Sequence, residues 1–306
     1  MSAHPFAHLL CPVDFSDASI HGVEHAIAVA GWSAARLTLL NVRPGSTALV
    51  ADLPVAGNVM PAADMDRAQE QISQCLRLAR KAGVSTDVLV DVGQPAADIV
   101  SRATSLHADL IVMGTHGAGG FDRLVLGSVT EKVLRQALCP VLTVPPRART
   151  TSALPFRRVL CAIDFSAPSL ESLSIVLPLA EEAGASITLL HIIEWPWAEP
   201  PAPAFGELPA AQASVLQEFR AQTEASASAK LRSLVSGATS DRVRITPRIA
   251  NGKAYQAILH VAEEEASDLI VMGVYGRGAI DTMLLGSTTN QVVRRATCPV
   301  LTLRHP

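Results

Sequence analysis

The stretch LIVMGTHGAGGFDRLVLGSVTEKVLRQALCPVLTV, residues 110–144, returns as LIVMGVYGRGAIDTMLLGSTTNQVVRRATCPVLTL, residues 269–303. The echo predicts two copies of one folding unit. Both copies carry the same glycine pattern: Gly114, Gly117 and Gly127-Ser128, then Gly273, Gly276 and Gly286-Ser287. Each pattern follows an apolar run and precedes a run of helical character. A glycine loop between a strand and a helix N-terminus suits a phosphate, because backbone N–H groups there lack partners and point outward.

The repeat reaches the start of each half. CPVDFSDAS begins at Cys11 and CAIDFSAPS at Cys161, an offset of 150 residues that LTLLNV (37–42) and ITLLHI (187–192) keep. At the glycine motifs the offset is 159, so the second copy carries about nine extra residues between Ile192 and Gly252. They fall in or beside WPWAEPPAPAFGELPA (195–210), a Pro-rich segment that reads as a loop. The repeat breaks at PPRARTTSALPF (145–156), a polar linker, and the expected domains are 1–147 and 155–306.

A chain of 306 residues fits two domains of ordinary size, each able to bury a core. The formal net charge is −3, which leaves no electrostatic footprint for nucleic acid. No apolar run approaches the ~20 residues that span a bilayer. The N-terminal MSAHPFAHLL lacks the basic region of a signal peptide. The five cysteines show no metal-ligand spacing, and Cys11/Cys161 and Cys139/Cys298 occupy matching strand positions. Free buried thiols fit a reducing cytoplasm.

One repeat reads as strand 8–14, helix 17–32, strand 35–42, loop 43–62, helix 63–82, strand 85–93, helix 95–107, strand 109–114, helix 128–137 and strand 139–144. Ile20, Val23, Ile27 and Ala30 share one face of the first helix. Gly83 ends the second helix, Pro95 opens the third, and Ser128 caps the fourth. The alternation predicts an α/β fold, a parallel sheet with helices on both faces. Ligands of such sheets bind outside the carboxyl ends of the strands. Asp14, Val42 and Gly114 converge there.

The glycine pattern, G-x-x-G-x9-G-[ST] in full in both halves, resembles the hallmark of the universal stress protein family. PVDFS (12–16), AIDFS (162–166), GQPAADI (93–99) and the endings CPVLTV and CPVLTL are similar to that family as well. The resemblance runs from Leu9 to Val144 and from Val159 to Leu303. It implies two adenine nucleotide α-hydrolase-like (Rossmann-like) domains, each a five-stranded parallel sheet of order 3-2-1-4-5. It also implies ATP as ligand, with Mg²⁺ carried on the phosphates. By that resemblance, Asp14 and Val42 would meet adenine and ribose in the first half, and Asp164 and Ile192 in the second. Pro12 and Met113 would wall one pocket; Ala162, a departure from proline, and Met272 would wall the other. The phosphates would lie on Gly114, Gly117, Gly127 and Ser128, and on Gly273, Gly276, Gly286 and Ser287.

Further loop residues can approach the same ligand. His116 and Tyr275 sit inside the glycine loops, and Asp122 and Asp281 precede the last helix of each half. Trp195 and Trp197 are aromatic side chains able to anchor a partner or pack on the domain edge. No lysine follows a glycine loop in the Walker manner, and no shared histidine identifies a general base. The chain therefore reads as a nucleotide-binding regulatory protein of the stress response. A weak ATPase or nucleotidyl-transfer enzyme using the same pocket, and a nucleotide-free scaffold, are the alternatives. The last strands, 139–144 and 298–303, are apolar edges expected to pair with each other across a pseudo-twofold, and a homodimer is expected too.

Overall fold

Short apolar runs bounded by turn residues become strands when both of their faces can be covered. A computed structural model describes residues 6–44, 62–115, 126–146, 148, 156–195, 210–237, 242–275 and 285–304. In the first half these form β1 (His8–Pro12), α1 (Asp17–Ser33), β2 (Arg36–Pro44), α2 (Ala62–Lys81), β3 (Thr86–Gly93), α3 (Pro95–Ser105), β4 (Leu110–Gly114), α4 (Ser128–Gln136) and β5 (Val141–Val144). The second half repeats the order with β6 (Arg158–Ala162), α5 (Ala167–Ala183), β7 (Ser186–Ile193), α6 (Ala210–Gly237) and β8 (Arg244–Asn251). It continues with α7 (Ala254–Glu264), β9 (Leu269–Gly273), α8 (Ser287–Arg295) and β10 (Val300–Leu303).

All ten strands lie in one sheet of order β3-β2-β1-β4-β5-β10-β9-β6-β7-β8. Within each half the pairs are parallel; the seam between β5 and β10 is antiparallel, with Leu142 opposite Leu301. These two leucines occupy equivalent places in the repeat, so a pseudo-twofold axis passes between them. The side chains at the seam obey it: Thr143 Oγ1 donates to Val300 O and Thr302 Oγ1 to Val141 O, both at 3.2 Å. Because the seam is antiparallel, the strands of the two halves point in opposite directions. Their carboxyl rims therefore lie on opposite edges of the sheet.

Alternate residues of each strand feed two cores. Leu9, Cys11, Leu37 and Leu39 face α1, α2, α5 and α6; Leu10, Leu40, Ile111 and Met113 face α3, α4, α7 and α8. Both cores run unbroken across the seam. The extra length of the second half appears largely as helix: α6 has 28 residues where α2 has 20. It follows directly on the Pro-rich segment, most of which lies outside the described residues. Trp195 stacks edgewise on Phe219 of α6, with ring centroids 6.3 Å apart. Trp197 lies outside the described residues. Two strands start later than their sequence runs suggest. Cys139 and Cys298 sit in the bends before β5 and β10, not within them, because Pro140 and Pro299 lack the N–H of a ladder residue.

Helix α1 buries Val23, Ala26, Ile27 and Ala30, and with them His25, which is 0% exposed. His25 Nδ1 donates to His21 O at 3.0 Å, and its Nε2 has no hydrogen-bond partner. Burial lowers its pKa to about 4, since a charged ring would be desolvated. The folded protein therefore resists protonation that the unfolded chain accepts near pH 6.5. Stability from this site is complete above that pH and is lost as pH falls toward about 4, by roughly 3 kcal/mol. The matching residue of the second half is Ile175. His25→Ile should remove the loss, so its advantage over wild type in urea unfolding should grow steadily as pH is lowered from neutral toward 4.

Candidate functional site

The ladder registers bring three strand ends to one rim. Pro12 lies opposite Leu40, and Leu10 opposite Ile111. Carried forward, these registers set Asp14 level with Val42, and Val13 level with Gly114. The second half repeats this, with Ala162 opposite Leu190 and Cys161 opposite Val271. Asp14 is exposed at its rim, while Asp164, Val42 and Ile192 are half-buried. Met113 and Met272 are buried in the core just beneath, packed on the α3/α4 and α7/α8 side. Pro12 and Ala162 are the last, buried residues of β1 and β6.

Asp14 is no helix cap. Its Oδ1 accepts from Ser16 N–H at 3.0 Å and from Ser16 Oγ–H at 2.6 Å, and Ser16 itself caps α1 by accepting from Ser19 N–H. Asp164 makes the same pair of bonds with Ser166. Between aspartate and serine, Phe15 and Phe165 both adopt φ 62°. The strand thus ends in a sharp turn that leaves the aspartate on the rim and starts the helix two residues later.

The ends of the glycine loop are fixed although its middle, residues 116–125 and 276–284, lies outside the described residues. Gly117, Gly276, His116, Asp122 and Asp281 fall there. Gly127 N–H donates to Thr115 O at 2.9 Å and Gly286 N–H to Val274 O at 3.0 Å, so each loop leaves and returns at one point. Thr130 Oγ1 donates to Gly114 O at 3.0 Å and Thr289 Oγ1 to Gly273 O at 2.9 Å, which ties the first turn of α4 or α8 to the strand end. A Cβ on Gly286 would stand 2.9 Å from Val274 O, so a side chain there would push the loop ends apart.

Ser128 and Ser287 are the first residues of α4 and α8, not their caps; the caps are Gly127 and Gly286. The correction has a physical reason. At Gly286 the returning loop enters the helix so closely that a Cβ would meet Val274 O at 2.9 Å, and Gly127 repeats its backbone angles with its N–H bonded to Thr115 O. It also has a consequence. With no cap side chain accepting from them, the first backbone N–H groups face outward beside an exposed serine hydroxyl. This is an arrangement that accepts an anion.

Gly114 has a second duty. A Cβ there would stand 2.5 Å from Ala18 O, and one on Gly22 would stand 3.0 Å from Gly114 N. Helix α1 therefore crosses β4 backbone to backbone. Thr130, Thr289, Phe15, Phe165, Asn41 and His191 also shape the rim, and sequence reasoning passes over them. Their one signal is recurrence: Thr130 and Thr289 each stand three residues after the glycine cap, and the phenylalanines lie inside the shared DFS.

The cysteines take no part. Burial pushes Cys161 and Cys298 up to about 12 and Cys139 to about 11, and raises Cys11 as well, so these thiols stay protonated. Among the described residues no cluster of His, Cys, Asp and Glu could hold a metal ion, and no helix is long and apolar enough to cross a membrane.

A model of the universal stress protein family matches residues 5–145 and again residues 155–304. The chain belongs to that family. Among curated relatives, a universal stress protein of Methanocaldococcus jannaschii is 35% identical over 141 residues, which is 45% of this chain and 82% of the relative. One from Mycolicibacterium smegmatis is 27% identical over 245 residues, 78% of this chain and 75% of the relative. The first aligns with one universal stress domain's worth of sequence, the second with most of the tandem chain. The crystal structure of a universal stress protein from Archaeoglobus fulgidus shares the fold over 99% of this chain and 97% of its own, with a TM-score of 0.68 and 24% identity.

In this universal stress fold the close approach of α1 makes Gly114 a packing residue whatever the site binds. Gly114→Ala should therefore cost roughly 1–3 kcal/mol of stability in the absence of any ligand, read by denaturant unfolding.

Proposed function

We propose that each half binds an adenine nucleotide at its rim, ATP with Mg²⁺ on the phosphates, and that the chain acts as a nucleotide-dependent regulator in the cytoplasmic stress response. The observation that carries this reading is the glycine-capped start of α4 and α8, built alike in both halves against the end of β4 or β9. Uncapped N–H groups, the positive end of a helix dipole and an exposed serine form a phosphate seat. Gly127 with Ser128, and Gly286 with Ser287, hold the phosphates. Gly114 and Gly273 let the loop carrying Gly117 and Gly276 leave the sheet. Asp14 and Val42, or Asp164 and Ile192, stand one and two strands away at the same rim and take the nucleoside. Pro12 and Met113, or Ala162 and Met272, form the apolar floor. Universal stress domains 1–147 and 155–306 each supply one complete set of these residues. Mg²⁺ would neutralise phosphate charge that the rim, with its aspartate, does not.

Removing the serine hydroxyl removes one bond to a charged oxygen, worth roughly 1.5–3 kcal/mol. Ser128→Ala with Ser287→Ala should accordingly weaken ATP binding about tenfold to a hundredfold in calorimetric titration. Unchanged affinity in the folded double variant would remove the phosphate seat from the reading.

A binding protein of this kind should hold ATP intact. Purified chain incubated with ATP and Mg²⁺ should return the triphosphate over many minutes on ion-exchange chromatography. A steady rate near about 10 s⁻¹, the ordinary enzyme median, that follows the protein through gel filtration would make it an enzyme instead.

A further inference from the structure

The first strand of each half ends in a turn that a bulky residue resists. Phe15 and Phe165 both stand at φ 62°, in the left-handed region. Such a conformation persists only where the surroundings over-determine it. Two supports come from the backbone and from the aspartate. Val13 N–H donates to Leu40 O and Ile163 N–H to Leu190 O, each at 2.8 Å. Asp14 and Asp164 gather the N–H and hydroxyl of the serine two residues on.

The third support is a side chain from the neighbouring strand. Asn41 Nδ2 donates to Val13 O at 2.7 Å. In the second half His191 Nδ1 donates to Ile163 O, also at 2.7 Å. Both residues are 9% exposed. Each follows a leucine pair at the same place in its strand, LTLLNV and ITLLHI. A buried polar group costs stability unless it is bonded, so one is kept here for its bond. An amide and an imidazole share neither shape nor acidity. What they share is a donor aimed at one carbonyl.

We infer that Asn41 and His191 are positioning residues that aim Asp14 and Asp164 at the ligand. The inference rests on the adenine nucleotide reading of the rim. The carbonyl of Val13 and the nitrogen of Asp14 belong to one rigid peptide plane. Holding that carbonyl fixes the plane, and with it the direction in which the Asp14 side chain leaves the backbone. Without the donor the plane rotates, Phe15 relaxes out of the left-handed region, and the carboxylate leaves the rim. The same holds for Ile163, Asp164 and Phe165.

The test is calorimetric titration of the full chain with ATP and with adenosine. Asn41→Leu together with His191→Leu should bind both ligands about tenfold more weakly, the equivalent of one hydrogen bond. The Ser128→Ala, Ser287→Ala double variant should lose affinity for ATP alone, because adenosine has no phosphate. A residue that merely stabilises the fold would lower the melting temperature and leave adenosine affinity alone. Restoring a donor through Asn41→His should return wild-type binding in the first half. If the leucine pair fails to fold, the exchange Asn41→His with His191→Asn carries the test: it should bind as wild type does, and loss of binding by that folded chain would overturn the inference. Unchanged adenosine affinity in a folded leucine pair would overturn it too, while leaving the nucleotide site standing. No ATP uptake by the wild-type chain would overturn the site and this inference with it.

Discussion

Everything in this molecule is arranged about one antiparallel pairing, the backbone seam of β5 and β10. Both strands are short, apolar and buried, and each would be an open edge if its half stood alone. Joined, they turn two five-stranded sheets into one of ten and let both cores continue across the axis. The seam also sets the geometry of function. Strands that run in opposite senses put the two rims, and with them the two candidate sites, on opposite edges of the sheet.

The phosphate seat proposed for the rim rests on backbone placement more than on side chains. The threonines after the glycine cap donate to the strand-end carbonyl, the glycine N–H closes the loop, and the cap itself offers no side chain to the first N–H groups of the helix. At the other side of the rim a strained phenylalanine turn sets an aspartate at the edge. Rigid strand ends and helix starts carry both features, which keeps the distance between them constant.

Much of this is legible in the sequence. The inner strands read clearly because their apolar runs are buried on both faces, while the outer β3 and β8 stay half-exposed, and the internal repeat by itself divides the chain into its two halves. The rim residues Asp14, Val42 and Gly114 stand out because carboxyl ends of parallel strands are where such folds bind. Other features are hidden for definite reasons. A Gly-Ser pair before a helix does not say which residue is the cap, and only the structure places Gly127 and Gly286 there. His25 sits on the buried face of α1, but a lone histidine among alanines and valines resembles a surface residue. The extra length of the second half falls near a Pro-rich segment that reads as loop, yet most of it lengthens α6, whose first turns bury no side chain among those described. Asn41 and His191 carry a visible signal, a polar residue after a leucine pair at the same place in two strands, whose meaning depends on which carbonyl lies opposite.

Fusing two copies into one chain changes what the axis can tolerate. In a dimer of identical subunits every contact at the axis occurs twice, and a change that suits one side is imposed on the other. Here the two sides are written separately. Arg304, just after β10, donates from Nη1 to Arg135 O in the last turn of α4. The matching residue after β5 is Pro145, whose side chain has no donor to return the bond. Thr143 and Thr302 mirror each other, so the two halves match at the centre of the seam and differ at its periphery. A single chain can thus keep one half as a template and let the other explore, because a loss on one side no longer doubles.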